Sequence, residues 1–247
     1  MPEADLLALL VAVSAAYTCA AALGFGANVV SIALGAHLLP VDRLLPAILP
    51  TSLALSAWIA WRQRQHIAGA LLGREVLPWA LVGFPVGLLL FQSAETAVLQ
   101  RLLGLVVSAL AILALLATLR RGAGTPRPLP PAASRAFLVS GGFVQGLFAS
   151  GGPLVVYVLS RRALDKGAFR ATLCLLWVLL NTTLLLSYGL GGRFDGATLR
   201  LTAWAVLPAL LGLALGSRLH DRLQAASFRR AVDLVLLASG VVLLLRG

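Results

Sequence analysis

Between Leu6 and Leu39 the chain runs without a single Asp, Glu, Lys or Arg. A stretch that apolar belongs in hydrocarbon, where no water satisfies the backbone. Each N–H and C=O must then be bonded internally, which restricts an open segment to helix. One ordinary crossing takes about 20 residues, so this stretch is too long for one. Its middle, Gly24-Phe25-Gly26-Ala27-Asn28, holds residues at which a helix stops. Further apolar runs follow at residues 47–61, 76–91, 102–119, 136–160, 171–188, 199–216 and 231–245. Charged residues make up 12% of the chain and mean hydropathy is +0.94. Soluble domains carry about 25% charged residues. The fold class predicted is an all-α polytopic membrane protein of about eight hydrophobic segments, spanning the lipid bilayer several times.

The strongest interruption lies in the fifth run, Gly141-Gly142-Phe143-Val144-Gln145-Gly146-Leu147-Phe148-Ala149-Ser150-Gly151-Gly152-Pro153. Glycines permit positive φ or close backbone approach, and a proline suits the first turn of a helix, where its missing N–H costs nothing. The pattern predicts one half-helix ending and another beginning at Ser150–Pro153. Such a break aims helix-end N–H groups at one spot, which suits an anion. The same residues also suit a kinked span or tight helix packing.

One linker is evident, Arg120 to Pro131, whose prolines and glycines cannot continue a helix. It divides the chain into an N-terminal part, 1–119, and a C-terminal part, 136–247, with 120–135 between. Each part opens on a glycine-broken segment, and Trp79 and Trp204 stand at similar places ahead of Gly87 and Gly212. This is the pattern of two internal repeats. Charge argues for their orientation. With eight full crossings, Lys and Arg divide ten to ten between the two faces. If both broken segments are re-entrant, the division becomes fifteen to five, as the positive-inside rule prefers. Each part then has three crossings, so the repeats would be inverted, with their broken segments near mid-membrane. Eight full spans stay open as the alternative.

The net charge of +11 does not indicate nucleic acid, because the basic residues crowd into connecting loops and form no aromatic-interleaved face. Nineteen of the 20 basic residues are Arg, which with the Ala, Leu and Gly richness suggests a GC-rich bacterial genome; the location expected of the multi-pass chain is the bacterial cytoplasmic (inner) membrane. The acidic start, Met1-Pro2-Glu3-Ala4-Asp5, is unlike a cleaved signal, so the first run is predicted to be retained. Cys19 and Cys174 have no metal or redox spacing and read as packing residues. No metal-ligand spacing, carboxylate pair or activated nucleophile is visible, so neither an enzyme nor a cofactor is predicted. A homo-oligomer is neither required nor excluded.

The stretch from Gly142 to Tyr157, with Gly-Gly-Pro before an aliphatic run, resembles the C-terminal signature of the sulfite exporter TauE/SafE family. Pro50-Thr51-Ser52-Leu53, ahead of a helix ending in Arg62, is similar to that family's N-terminal Thr-Ser helix. The likeness extends over nearly the whole chain. One departure is Asn28-Val29, where the family usually shows further glycine and a proline. The resemblance implies a carrier of small anions, chiefly sulfite, sulfonates and other organosulfur compounds. The residues themselves also leave open a carrier for a different small solute, or a structural or assembly protein of the membrane.

A small oxyanion leaving water needs donors to replace it. The candidates are Gly26 and Asn28 at the first break, and Ser150, Gly151, Gly152 and Pro153 at the second. Thr51 and Ser52, Gln145, and Asn181 with Thr182 could add amides and hydroxyls; each also suits interhelical hydrogen bonding. His37 reads as incidental to a turn.

Overall fold

In the computed structural model, the backbone is described for residues 3–23, 27–119, 129–220 and 225–246. Every regular element among them is a helix. They are α1 (Glu3–Leu23), α2 (Ala27–Gly35), α3 (Val41–Arg62), α4 (Gly69–Ser93), α5 (Thr96–Leu119), α6 (Pro131–Phe148), α7 (Gly152–Leu159), α8 (Lys166–Leu190), α9 (Gly196–His220) and α10 (Ala225–Arg246). Five helices are long and apolar enough to cross a membrane: α3, α4, α8 and the described parts of α5 and α9. Between 22% and 50% of each apolar window is buried inside the protein. The outward residues include Leu81, Val82, Val86 and Leu89 on α4 and Leu207, Leu210, Leu211 and Leu215 on α9. Apolar faces this extensive need hydrocarbon as their solvent.

Two boundaries differ from the sequence reading. The run read from residue 47 belongs to a helix that begins earlier, so Pro46 and Pro50 both lie inside α3. The helix starts at Val41, directly after Pro40, and continues through both prolines, each of which forfeits one backbone bond. At α4, residues Leu72–Val76 form a π-helical turn, which lengthens the helix N-terminally to Gly69.

The chain forms two compact units, and neither is one side of the linker. One comprises residues 1–51, 94–123 and 193–247; the other comprises 52–93 and 124–192. In the first unit α1 packs on α9, α5 on α10, and α2 against α1. In the second α4 packs on α6, and α7 returns against α6.

The long-helix pairs are set by glycine. A Cβ on Gly83 would stand 2.0 Å from the Val139 carbonyl oxygen, and one on Gly87 2.0 Å from that of Phe143. From the other side, Cβ atoms on Gly142 and Gly146 would stand 1.9 Å and 2.1 Å from the carbonyls of Ala80 and Phe84. Residue numbers rise together on both helices, so α4 and α6 are parallel and lock through two Gly-x-x-x-Gly faces. In the first unit Gly212 of α9 meets Ser14 of α1 in the same way, at 2.2 Å from its carbonyl. Thus Gly87, before the linker, seats a helix from after it; Gly212, after the linker, seats one from before it.

Both glycine-broken segments double back. Phe137 on α6 lies ring to ring with Tyr157 on α7, centroids 4.9 Å apart. At the open end, Ser134 Oγ donates to Glu75 Oε1 over 3.4 Å, and Arg162 pairs with that same oxygen. A straight helix would carry residues 134 and 162 about 42 Å apart. In the first unit the end of α2 returns to the start of α1, where a Cβ on Gly35 would lie 3.2 Å from Leu9 Cδ1.

The rest of the second unit agrees. His66, after α3, lies beside Gly167, at the start of α8, and the Ala68 N–H donates to Thr172 Oγ1 over 3.0 Å. At the opposite end Gln92 Nε2 donates to Ser187 Oγ. Eight straight crossings would put each of these pairs on opposite faces; a segment that doubles back brings them together.

Candidate functional site

The turn of the second hairpin is made by three residues. Helix α6 ends at Phe148, and Ala149 takes the left-handed conformation, φ 51°, with its N–H donating to the Gln145 carbonyl. Helix α7 starts at Gly152, with Pro153 in its first turn. The break falls where the sequence placed it, but positive φ belongs to Ala149. Gly151 has φ −64°. Its glycine is required by close approach, since a Cβ there would stand 2.0 Å from the Gly141 carbonyl oxygen. Gly152 is less confined, its nearest neighbour being the Trp177 ring at 3.8 Å.

Polar groups in this turn are almost wholly buried. Ser150 is 4% exposed, and its hydroxyl donates to the Phe148 carbonyl over 2.8 Å. The Gly151 N–H donates to Gln145 Oε1 over 3.0 Å, and Gln145 Nε2 donates to Asn181 Oδ1 over 2.6 Å. Gln145 and Asn181 are 2% and 1% exposed. The start of α7 has no side-chain cap. With Pro153 lacking an N–H, the Gly152 and Leu154 amides are the donors there without an acceptor among the described residues. One turn along α8 from Asn181 stands Trp177, beside Gly152. Neutral N–H groups therefore gather here against an aromatic wall.

The structure joins Gln145, Ser150, Gly151, Gly152, Pro153 and Asn181 in one place. Thr182 is not with them: it lies on the exposed side of α8, a 100° step from Asn181. Thr51 and Ser52 sit mid-way along α3, where the chain passes from the first unit to the second, and both are half-buried. The Thr51 hydroxyl is buried with no hydrogen-bond partner among the described residues. Asn28 is half-buried in the first turn of α2. Gly26 and the first break, at residues 24–26, lie outside the described residues.

Four residues were missed. Tyr17 and Ser31, on the first unit's hairpin, have buried hydroxyls without partners among the described residues, as Thr51 has. Isolated hydroxyls in an apolar run give a sequence reader little to separate them from packing residues. Glu75 joins the two ends of the second hairpin; its signal was that it is the sole acid between Asp42 and Glu95. His37 is not incidental. Its Nε2 lies 2.8 Å from Ser239 Oγ, whose own hydrogen goes to the Ala33 carbonyl, so His37 is the donor. No group of three His, Cys, Asp or Glu that could hold a metal occurs among the described residues.

Electrostatics at the edges is local. The Thr198 backbone N–H and hydroxyl hold the Asp195 carboxyl, at the start of α9, below the ordinary range, and Arg43 adds to the effect. In the second unit Arg62 lies over Trp58, Arg64 over Trp61, Arg135 over Trp79 and Arg161 over Tyr157. Such Arg–aromatic pairs are the furniture of a membrane–water interface.

The family model described as Sulfite exporter TauE/SafE matches residues 8–243. A protein of Cupriavidus necator, named probable sulfite/organosulfonate exporter TauE, is 30% identical over 234 residues, 90% of this chain and 86% of that one. Another, of Comamonas testosteroni, named probable inner membrane transporter protein TsaS, is 31% identical over 170 residues, 68% of this chain and 69% of that one. No solved structure matches the chain.

Proposed function

Because this chain belongs to the sulfite exporter TauE/SafE family and is a multi-pass inner-membrane transporter, we propose that it is a secondary carrier of a small anion, namely sulfite, a sulfonate or a related organosulfur compound. The observation that carries this is the buried turn at Ser150–Pro153, where an uncapped helix start and the Gln145–Asn181 amides lie together with no basic side chain among them. Neutral donors suit a carrier. A helix start favours an anion by roughly 0.3–2 kcal/mol, enough to select a charge sign and too little to trap it. A buried guanidinium would hold the anion far more tightly. The name of the Cupriavidus necator relative supports the organosulfur class.

The same reading takes residues 1–119 and 136–247 as two inverted repeats joined by 120–135. The reciprocal seating of helices at Gly87 and Gly212 supports it, as does the doubling-back segment that opens each part. Asn28 in the first turn of α2, with the buried hydroxyls of Tyr17 and Ser31 on α1 and α2, supplies the donors the first unit would present as the counterpart.

The test is transport by purified protein in liposomes. Sulfite, isethionate, sulfate and acetate are offered from each side, with and without a pH gradient. Sulfite or isethionate should move faster than acetate and faster than through protein-free vesicles. Failure of all four anions in both directions would sink the reading.

A further inference from the structure

The amide chain at the second hairpin has a direction, and the backbone sets it. Amide O and N atoms are usually assigned by inference from their surroundings, but here the first link is unambiguous. The Gly151 backbone group is an N–H and can only donate, so the Gln145 atom facing it, at 3.0 Å, is Oε1. The other end of the same amide, Nε2, must then be the atom facing Asn181, at 2.6 Å, and it can only donate. Asn181 must therefore meet it with Oδ1. That leaves Nδ2, a pure donor, as the free end of the Asn181 side chain, with no acceptor among the described residues.

We propose that this relay, Gly151 N–H to Gln145 to Asn181, fixes the charge selectivity of the site. Gln145 is a positioning residue that never touches the transported species. Asn181 Nδ2 is the group it holds out, so the relay presents donors and accepts only ligands rich in acceptors: the oxygens of a sulfite or sulfonate group. The inference rests on the anion-carrier reading. It adds that the preference comes from the orientation of two neutral amides rather than from a cation. Burial gives the orientation its force, because with both side chains at 2% exposure or less a reversed amide would leave an N–H facing an N–H with no water to relieve it.

Two single-atom exchanges test this. Asn181→Asp still accepts from Gln145 Nε2 but holds out a carboxylate oxygen. Gln145→Glu, when ionised, still accepts from Gly151 N–H but cannot donate, so Asn181 must turn its NH2 toward it and hold out Oδ1. Protonating the introduced carboxyl restores the relay, because its carbonyl oxygen faces Gly151 and its hydroxyl donates to Asn181. The probe is isethionate, whose sulfonate stays anionic from pH 5 to 8, taken up by liposomes containing wild-type or variant protein. At pH 7.5 both variants should lose uptake by about tenfold or more, as expected for an unmatched buried polar group. On lowering the pH, the Gln145→Glu variant should recover relative to wild type, a change that a merely structural role would not produce. Either variant alone carries the test if the other fails to fold by size-exclusion and thermal melting. A third arm on wild-type protein compares competitors, with sulfite expected to inhibit isethionate uptake and guanidinium expected not to. Wild-type protein that moves no anion defeats the carrier reading itself. Wild-type transport with a folded variant within twofold of it at pH 7.5, no pH recovery in Gln145→Glu, or inhibition by guanidinium overturns the relay while leaving the carrier reading standing.

Discussion

Adjacent residues of one motif do different work here. Gly151 and Gly152 look interchangeable in the sequence, yet only Gly151 has backbone where its Cβ would go, 2.0 Å from the Gly141 carbonyl oxygen. Gly151→Ala should destabilise the second unit by about 1–3 kcal/mol, as forced overpacking does, seen as a lower melting temperature in detergent. Gly152→Ala meets only Trp177 at 3.8 Å and should melt like wild type. Its methyl group stands at the uncapped start of α7, so anion uptake should fall while folding holds. Equal melting of the two variants would show that close packing is not what requires Gly151. A titration effect belongs to this scale too. The carboxyl of Asp195 is held below its ordinary range by the Thr198 donors, so its contribution to stability is present above the unfolded value of about 3.9. That contribution is lost as pH falls through the folded value. Melting of wild type and Asp195→Asn should differ near neutral pH and converge in acid.

At the scale of elements, the unit of construction is the glycine-seated helix pair. Four glycines, Gly83, Gly87, Gly142 and Gly146, each bring backbone against backbone between α4 and α6. Hydrocarbon offers no hydrophobic drive between helices, so close van der Waals contact has to hold the pair. Gly87→Leu or Gly146→Leu should therefore separate it, with loss of folded, monodisperse protein. Gly189, near the end of α8, has nothing within 4 Å of its Cβ position. Gly189→Ala should be neutral or stabilising by up to about 1 kcal/mol. Equal tolerance at positions 87 and 189 would remove the seating role. These glycines were legible as small residues in apolar runs. Which helix each would meet was not, because α4 and α6 are separated by the whole of α5 and the linker.

For the whole molecule, the consequence of two doubling-back segments is sidedness. With them re-entrant, cysteines placed in the 120–135 linker and in the 161–170 loop should both be labelled from the cytoplasmic face. Cysteines near residues 93–95 and 191–195 should be labelled from the other. Linker and 161–170 cysteines answering from opposite faces would rule the arrangement out. The positive-inside bias favours this arrangement, and the joining of Ser134 and Arg162 through Glu75 supports it for the second segment.

The sequence alone determined the class of the molecule, since long uncharged runs leave helices in a bilayer as the available answer. It also determined where the second segment breaks, because Gly-Gly-Pro after an apolar helix stops one helix and starts the next. Asn181 and Thr182 were legible together as polar candidates, but not which of them meets the break: Asn181 does, and Thr182, one residue on, lies on the exposed side of α8. Tertiary structure decided the remainder. Ala149 takes the left-handed turn, Gly151 is required by close packing, Gln145 turns its oxygen to a backbone N–H, and each compact unit draws helices from both sides of the linker. These outcomes depend on contacts between residues far apart in the chain, and a local pattern has no means of recording them.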